Sequence, residues 1–133
     1  MNGDGHPDVL IAHGGADLFL GEHLGDGAGG FGPLASIPLP TPYKDSIELA
    51  DLDLDGTPDL LVSSYVANHV MVLRGDGAGG FGSAVAYPMG TRSLGCAAAD
   101  LNADGLPDIA CVNENSGDLT IRYGTGAARS GMS

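Results

Sequence analysis

The chain has no tryptophan, few cations and no long apolar run. Lys44, Arg74, Arg92, Arg122 and Arg129 are the only lysines and arginines, against 17 acids, and the formal net charge is -12. Five scattered cations cannot neutralise a phosphate backbone, so nucleic acid and anionic membrane surfaces are excluded as partners. No apolar stretch approaches the roughly 20 residues of a helical membrane span. Long helix-favouring runs are scarce too, whereas 23 glycines and 8 prolines punctuate the chain, the composition of short strands joined by turns. No serine or cysteine is set beside a base as a nucleophile would be, so a non-catalytic protein is expected. His6, His13, His23 and His69 show no zinc spacing.

What is abundant is aspartate, and it is clustered. Asp51-Leu-Asp-Leu-Asp-Gly-Thr-Pro-Asp59 places carboxylates at positions 1, 3, 5 and 9 of a nine-residue loop. Asp51, Asp53 and Asp55 alternate, Gly56 permits a sharp reversal, Thr57 can offer its carbonyl, and Asp59 closes the shell. Hard oxygen donors in this number suit Ca2+ better than magnesium, which keeps its waters, or zinc, which prefers nitrogen and sulfur. Asp100-Leu-Asn-Ala-Asp-Gly-Leu-Pro-Asp108 repeats the phrase, with Asn102 at position 3 and Leu106 at position 7. Asn2, Asp4, His6 and Asp8 are what a third copy retains; without an opening carboxylate it is expected to bind weakly or not at all. Nine of the 17 acids fall in these loops, so the acidity is mainly a metal-site signature.

The copies recur at a fixed pitch. Asp4, Asp55 and Asp104 are 51 and 49 residues apart, and Gly25-Asp-Gly-Ala-Gly-Gly-Phe-Gly32 returns 50 residues later as Gly75 to Gly82. A shorter echo, Gly124-Thr-Gly126, follows after 49 more. A period near 50 residues marks supersecondary units that bury their faces by stacking on one another. The glycine phrase matches a dinucleotide fingerprint formally, but a strand and not a helix follows it, so a hairpin turn is expected. Val62 stands where an EF-hand needs its glutamate.

Apolar runs between these phrases predict strands near 8–13, 17–21, 34–39, 46–51, 60–65, 70–74, 83–87, 94–100, 108–112 and 119–123. That is three strands, then four, then three, with the polar segment 126–133 left without one. The third, rich in proline, is expected at a sheet edge. Cys96 and Cys111 flank the third loop on adjacent strands, a placement compatible with a disulfide or with two packed thiols. Arg74-Gly75-Asp76 spells an adhesion tripeptide, but its counterpart is Leu24-Gly25-Asp26, so the arginine is no part of the repeat. Met1 leads directly into position 3 of a loop, as expected of a chain cut from a longer one.

Four strands per period, with Asp-x-Asp-x-Asp-Gly-x-x-Asp between the first and second, resembles the FG-GAP repeat of integrin alpha-chain propellers and their bacterial VCBS-like relatives. Phe31-Gly32 and Phe81-Gly82, followed by the loop, Pro-Asp and an apolar strand, carry the resemblance. The integrin-type Gly-Ala-Pro is absent, Ser63-Ser64-Tyr65 and Val112-Asn113-Glu114 standing there, which favours the bacterial variant. The resemblance implies an extracellular, all-β propeller with calcium in the blade loops on one face. It assigns the metal to Asp51, Asp53, Asp55, Thr57 and Asp59, and to Asp100, Asn102, Asp104, Leu106 and Asp108. The expected architecture is a single partial propeller of about two and a half blades, with repeats near 2–45, 46–93 and 94–133. A propeller closes with roughly 4 to 8 blades, so the remaining blades of a longer parent chain, or further copies in a homo-oligomer, are expected partners. A protein ligand, or a carbohydrate stacked on Tyr43, Tyr65, Tyr87 or Tyr123, is the further expectation, although the lack of tryptophan weakens the sugar reading.

Overall fold

A computed structural model describes residues 1–125; the expectation of no strand in 126–133 lies outside the described residues. The described chain is all β, with ten strands in three antiparallel sheets. The first holds β1 (Val9–Ala12), β2 (Phe19–His23) and β3 (Ala35–Pro38). The second holds β4 (Lys44–Ala50), β5 (Asp59–Ser64), β6 (His69–Leu73) and β7 (Val85–Pro88), and the third β8 (Ser93–Ala99), β9 (Asp108–Asn113) and β10 (Asp118–Arg122). Each sheet is a simple meander, so its strands lie in chain order. This is a partial propeller in which, among the described residues, the sheets hold three, four and three strands.

The middle sheet is covered on both sides, and its sequence shows why. Leu60-Leu-Val-Ser-Ser has no apolar-polar alternation, and every residue of β5 is buried. Leu60, Val62, Met71 and Leu73 pack with Leu20, Ile37 and Leu39 of the first sheet. Leu61, Val70 and Val72 turn the other way and meet Ile109 and Cys111 of the third. The outer faces of the end sheets leave Val9, Ile11 and Phe31 on one side and Val112 and Leu119 on the other exposed. Between blades, β4 and β5 are joined to β8 by side chains. Ser46 Oγ accepts from the Cys96 N–H (3.3 Å), Glu48 accepts from the Ala98 N–H (3.1 Å), and Ser63 Oγ donates to the Leu94 carbonyl (3.0 Å).

Three strand starts differ from the sequence expectation in an informative way. β2 begins at Phe19 and not at Asp17, because the Asp17 carbonyl accepts from the buried Lys44 ammonium and so does not enter the ladder. β4 and β8 start two and one residues early, each through a register shift, at Lys44/Ser46 and Ser93/Gly95. The residues just before them, Tyr43 and Arg92, have φ of 54° and 61°, a left-handed kink at the same place in two repeats.

The shift before Gly95 sets Cys96 directly opposite Cys111, and the two form a disulfide with Cα atoms 4.1 Å apart. A loop of this size contributes about 3 kcal/mol through the unfolded chain. Reduction, or Cys96→Ala with Cys111→Ala, is therefore expected to lower unfolding free energy by about 2–4 kcal/mol in a denaturant titration.

Glu22 is the polar anomaly of the core. It occupies the place that Val72 and Ile121 take in the other repeats, it is 6% exposed, and its Oε1 has no hydrogen-bond partner. Burial raises its pKa above the ordinary 4.5, the Asp76 charge adds to the rise, and the N-terminal amine opposes it. The folded state therefore holds this proton more tightly than the unfolded chain. Its contribution is most favourable below pH 4.5 and is lost as pH rises through the elevated folded value. Glu22→Gln is expected to stabilise the protein at neutral pH, with an advantage over wild type that shrinks as pH falls to about 4. Chemical denaturation at several pH values reads the difference.

Candidate metal loops

Each aspartate loop sits where one strand hands over to the next: before β1, between β4 and β5, and between β8 and β9. In the second loop Asp51 and Asp55 organise the backbone. The N–H groups of Asp55 and Gly56 donate to Asp51 (3.0 and 2.8 Å), and the Thr57 N–H donates to Asp55 (2.8 Å). Gly56 has φ of 89°, the reversal its position requires, and Leu54 has φ of 58°. A left-handed leucine costs roughly 1–2 kcal/mol. Ala103 (61°) and Gly3 (74°) repeat the conformation in the other copies, so it belongs to the loop.

Asp59, 1% exposed, is held from three sides. It accepts from the Leu52 N–H (3.1 Å), the Gly75 N–H (3.0 Å) and Arg74 Nη1 (2.5 Å). Asp51, Asp53 and Asp59 each present an oxygen, and these atoms all lie within 4.8 Å of one another, the one such acidic group among the described residues. Asp53 Oδ1 is buried without a partner, and its Oδ2 lies 3.5 Å from Arg74 Nη1. An orphaned oxygen on a carboxylate grouped with two others fits a hard cation. Asp55 is exposed and engaged with Thr57.

The third loop repeats this skeleton. The N–H groups of Asp104 (3.2 Å) and Gly105 (2.9 Å) donate to Asp100, Leu106 N–H to Asp104 (2.9 Å), and Leu101 N–H (2.9 Å) and Gly124 N–H (2.8 Å) to the buried Asp108. Asn102 Nδ2 donates to Asp104 (2.9 Å). In the first loop Asn2 Nδ2 donates to Asp4 (2.8 Å), the His6 N–H donates to Asp4 (2.8 Å) and the Gly25 N–H to Asp8 (2.9 Å), while the N-terminal amine pairs with Asp8. The His6 N–H and the Asn2 amide lower the Asp4 pKa. The His6 ring lies over Gly27, where a Cβ would strike it.

The glycine hairpins are therefore part of the loops. Gly25, Gly75 and Gly124 each donate to the position-9 aspartate, and a Cβ on any of them would collide with the carbonyl oxygen of Pro7, Pro58 or Pro107, at 2.5 Å in the last case. Their sequence signal is persistence: this glycine survives in the third copy, where most of the phrase is lost. Gly27, Gly29, Gly77 and Gly79 carry the positive φ angles that the turn needs, and Asp26 caps the first hairpin through the Ala28 and Gly30 N–H groups (both 2.8 Å), bonds that lower its pKa. Sequence reasoning missed Arg74. It is no presented adhesion tripeptide, since its guanidinium folds back onto Asp53 and Asp59.

At the other end of the strands Tyr43 and Tyr65 meet with ring centroids 5.8 Å apart, and the Arg92 guanidinium lies 5.3 Å from the Tyr65 ring. Tyr87 instead packs on the core between the second and third sheets, and Tyr123 is exposed. A cleft of about 240 Å³ beside the first hairpin is lined by Pro7, four glycines and Phe31, without a titratable side chain. No helix among the described residues is long and apolar enough to cross a membrane.

Stacked antiparallel blades with an aspartate loop at each handover define a propeller-type repeat module. The FG-GAP-like repeat family matches residues 1–62 and again 51–111, and the chain belongs to that family. No curated protein and no solved structure matches it.

Proposed function

We propose that the chain is a calcium-binding propeller module, non-catalytic, with a structural or ligand-binding role outside the cell. The observation that carries this reading is the convergence of Asp51, Asp53 and Asp59 within 4.8 Å, with Asp53 Oδ1 buried and unpartnered. Asp51, Asp53, Asp55, Asp59 and the Thr57 carbonyl would hold the ion in the second loop, and Asp100, Asn102, Asp104, Asp108 and the Leu106 carbonyl in the third. The donors are oxygens throughout, which favours calcium over zinc. The ion would supply charge that ties the β4–β5 and β8–β9 handovers. Asp51 and Asp100 orient the loop backbone, and Asp59 and Asp108 anchor the loop to the neighbouring hairpin.

The disulfide and the family support an extracellular setting. The exposed apolar outer faces are read as contacts for further blades, from a longer parent chain or from a second copy. Thermal melts of chelator-stripped protein test the metal reading. At calcium about 100-fold above the dissociation constant each occupied loop is expected to add about 2.7 kcal/mol. Equal concentrations of magnesium should add far less, and identical melts with and without calcium would contradict the reading.

The Tyr43–Tyr65 pair beside Arg92 supports a second reading, a carbohydrate ligand stacked on that end of the blades. Glycan-array binding lost in Tyr65→Ala favours it.

A further inference from the structure

Arg74 stands immediately before the hairpin glycine of the second repeat, where the first repeat has Leu24 and the third Tyr123. Position 3 of the loop varies with it. The second loop has Asp53 there, whereas the first and third have Asn2 and Asn102. The arginine thus occurs in the one copy with the additional carboxylate. The hydrogen bonds explain the pairing. In the first and third loops the position-3 amide donates to the position-5 carboxylate, Asn2 to Asp4 at 2.8 Å and Asn102 to Asp104 at 2.9 Å. Asp53 has no proton to give to Asp55; the second loop instead has a cation beside its extra carboxylate, Arg74 Nη1 lying 2.5 Å from Asp59 at position 9 and 3.5 Å from Asp53. Asp53 still keeps one buried oxygen, Oδ1, without a partner, and its carboxylate groups with those of Asp51 and Asp59.

We propose that Arg74 is a resident counter-cation of the second loop, which holds Asp53 and Asp59 together when the loop carries no metal and weakens the loop's affinity for a divalent ion. This rests on the reading that the loops take such an ion. The guanidinium and the ion draw on the same two carboxylates, so each reduces the field available to the other. The second loop, with four carboxylates, is thereby made less dependent on calcium for folding than its charge alone implies. The third loop has three carboxylates and Tyr123 at the equivalent place, and among the described residues no arginine is paired with its aspartates.

The test is a calcium titration of the full chain by NMR, following the Gly56 amide as reporter of the second loop and the Gly105 amide as reporter of the third. Arg74→Leu, which installs the residue of the first repeat, is expected to tighten binding at Gly56 by about tenfold, the effect of removing one partly screened charge beside a divalent ion. The Gly105 response should not move. In chelator the same variant should melt below wild type, and Asp53→Asn combined with Arg74→Leu, which copies the other loops, should recover most of the loss. Should Arg74→Leu fail to fold without calcium, Arg74→Gln keeps a donor to Asp59 without the charge and is read in the same way. Unchanged or weaker binding at Gly56, with Gly105 still responding, overturns the role of Arg74 and leaves the metal reading intact. A protein in which neither amide responds overturns both.

Discussion

Gly75→Ala is expected to destabilise the protein by about 3 kcal/mol, and to do so with or without calcium. The new methyl would overlap the Pro58 carbonyl oxygen and crowd the Thr57 methyl at 2.9 Å. The first obstacle is backbone and cannot rotate away, so either the hairpin or the loop must shift, and overpacking of this kind costs about 1–3 kcal/mol. The shift also draws the Gly75 N–H away from Asp59, a bond of 3.0 Å to a buried carboxylate, which puts the total at the upper end of that range. Gly25→Ala meets the same obstacle at Pro7. Gly14→Ala is the control: a Cβ there meets nothing within 4 Å and the backbone is not left-handed, so stability should change by no more than about 0.5 kcal/mol. Urea or guanidinium titration of the three variants separates a close approach from a general intolerance of lost glycine.

Asp59→Ala carries the other large effect. Truncation removes the acceptor of the Leu52 and Gly75 N–H groups and strips Arg74 of its nearest partner. Asp59 is buried and Arg74 about a third exposed, so the cost comes mainly from the two N–H groups left without their acceptor and is expected at about 2–4 kcal/mol, even in chelator. Asp55→Ala should behave in the opposite manner. Asp55 is exposed and holds only the Thr57 N–H, so metal-free stability should fall by about 1 kcal/mol while the calcium-induced rise in melting temperature largely disappears. Melting both variants with calcium and with chelator divides the loop into a residue that supports the fold and one that serves the ion. Equal behaviour of the two would show that the loop's carboxylates act as one undivided set.

Much of this architecture can be read from short windows of sequence, because the signals are local. The carboxylate spacing from Asp51 to Asp59 sits within one turn of chain, and the apolar run from Leu60 to Val62 announces a strand buried on both faces. The pitch of 49 to 51 residues then stacks the units. What sequence did not reveal depends on contacts between distant parts. The pairing of Cys96 with Cys111 hangs on a one-residue register shift before Gly95, which no composition records. The reason for Gly75 is the approach of Pro58 from the preceding loop, while the positive φ of the hairpin is carried by Gly77 and Gly79. Arg74 looked like an accident of one repeat because its partners lie 15 and 21 residues back along the chain. Its rarity in a chain of net charge -12 was the available clue.

The left-handed Leu54 and Ala103 were likewise invisible, since neither residue type favours that backbone region. Both follow position 3 of a loop whose opening aspartate receives two later N–H groups, at 3.0 and 2.8 Å in the second copy and 3.2 and 2.9 Å in the third. The reversal also occurs at Gly3 in the first copy, which has no opening aspartate, so it belongs to the loop backbone, and in the second and third copies these hydrogen bonds offset its cost.

The central proposal, that the complete loops at Asp51 and Asp100 bind calcium, is tested most directly by calorimetric titration of calcium into chelator-stripped protein, repeated on Asp51→Asn and Asp100→Asn. Two sites are predicted in the wild-type chain and the loss of one in each variant. No binding heat in a protein whose circular dichroism shows folded β-sheet would contradict it, and the aspartate loops would then be turns that serve the backbone alone.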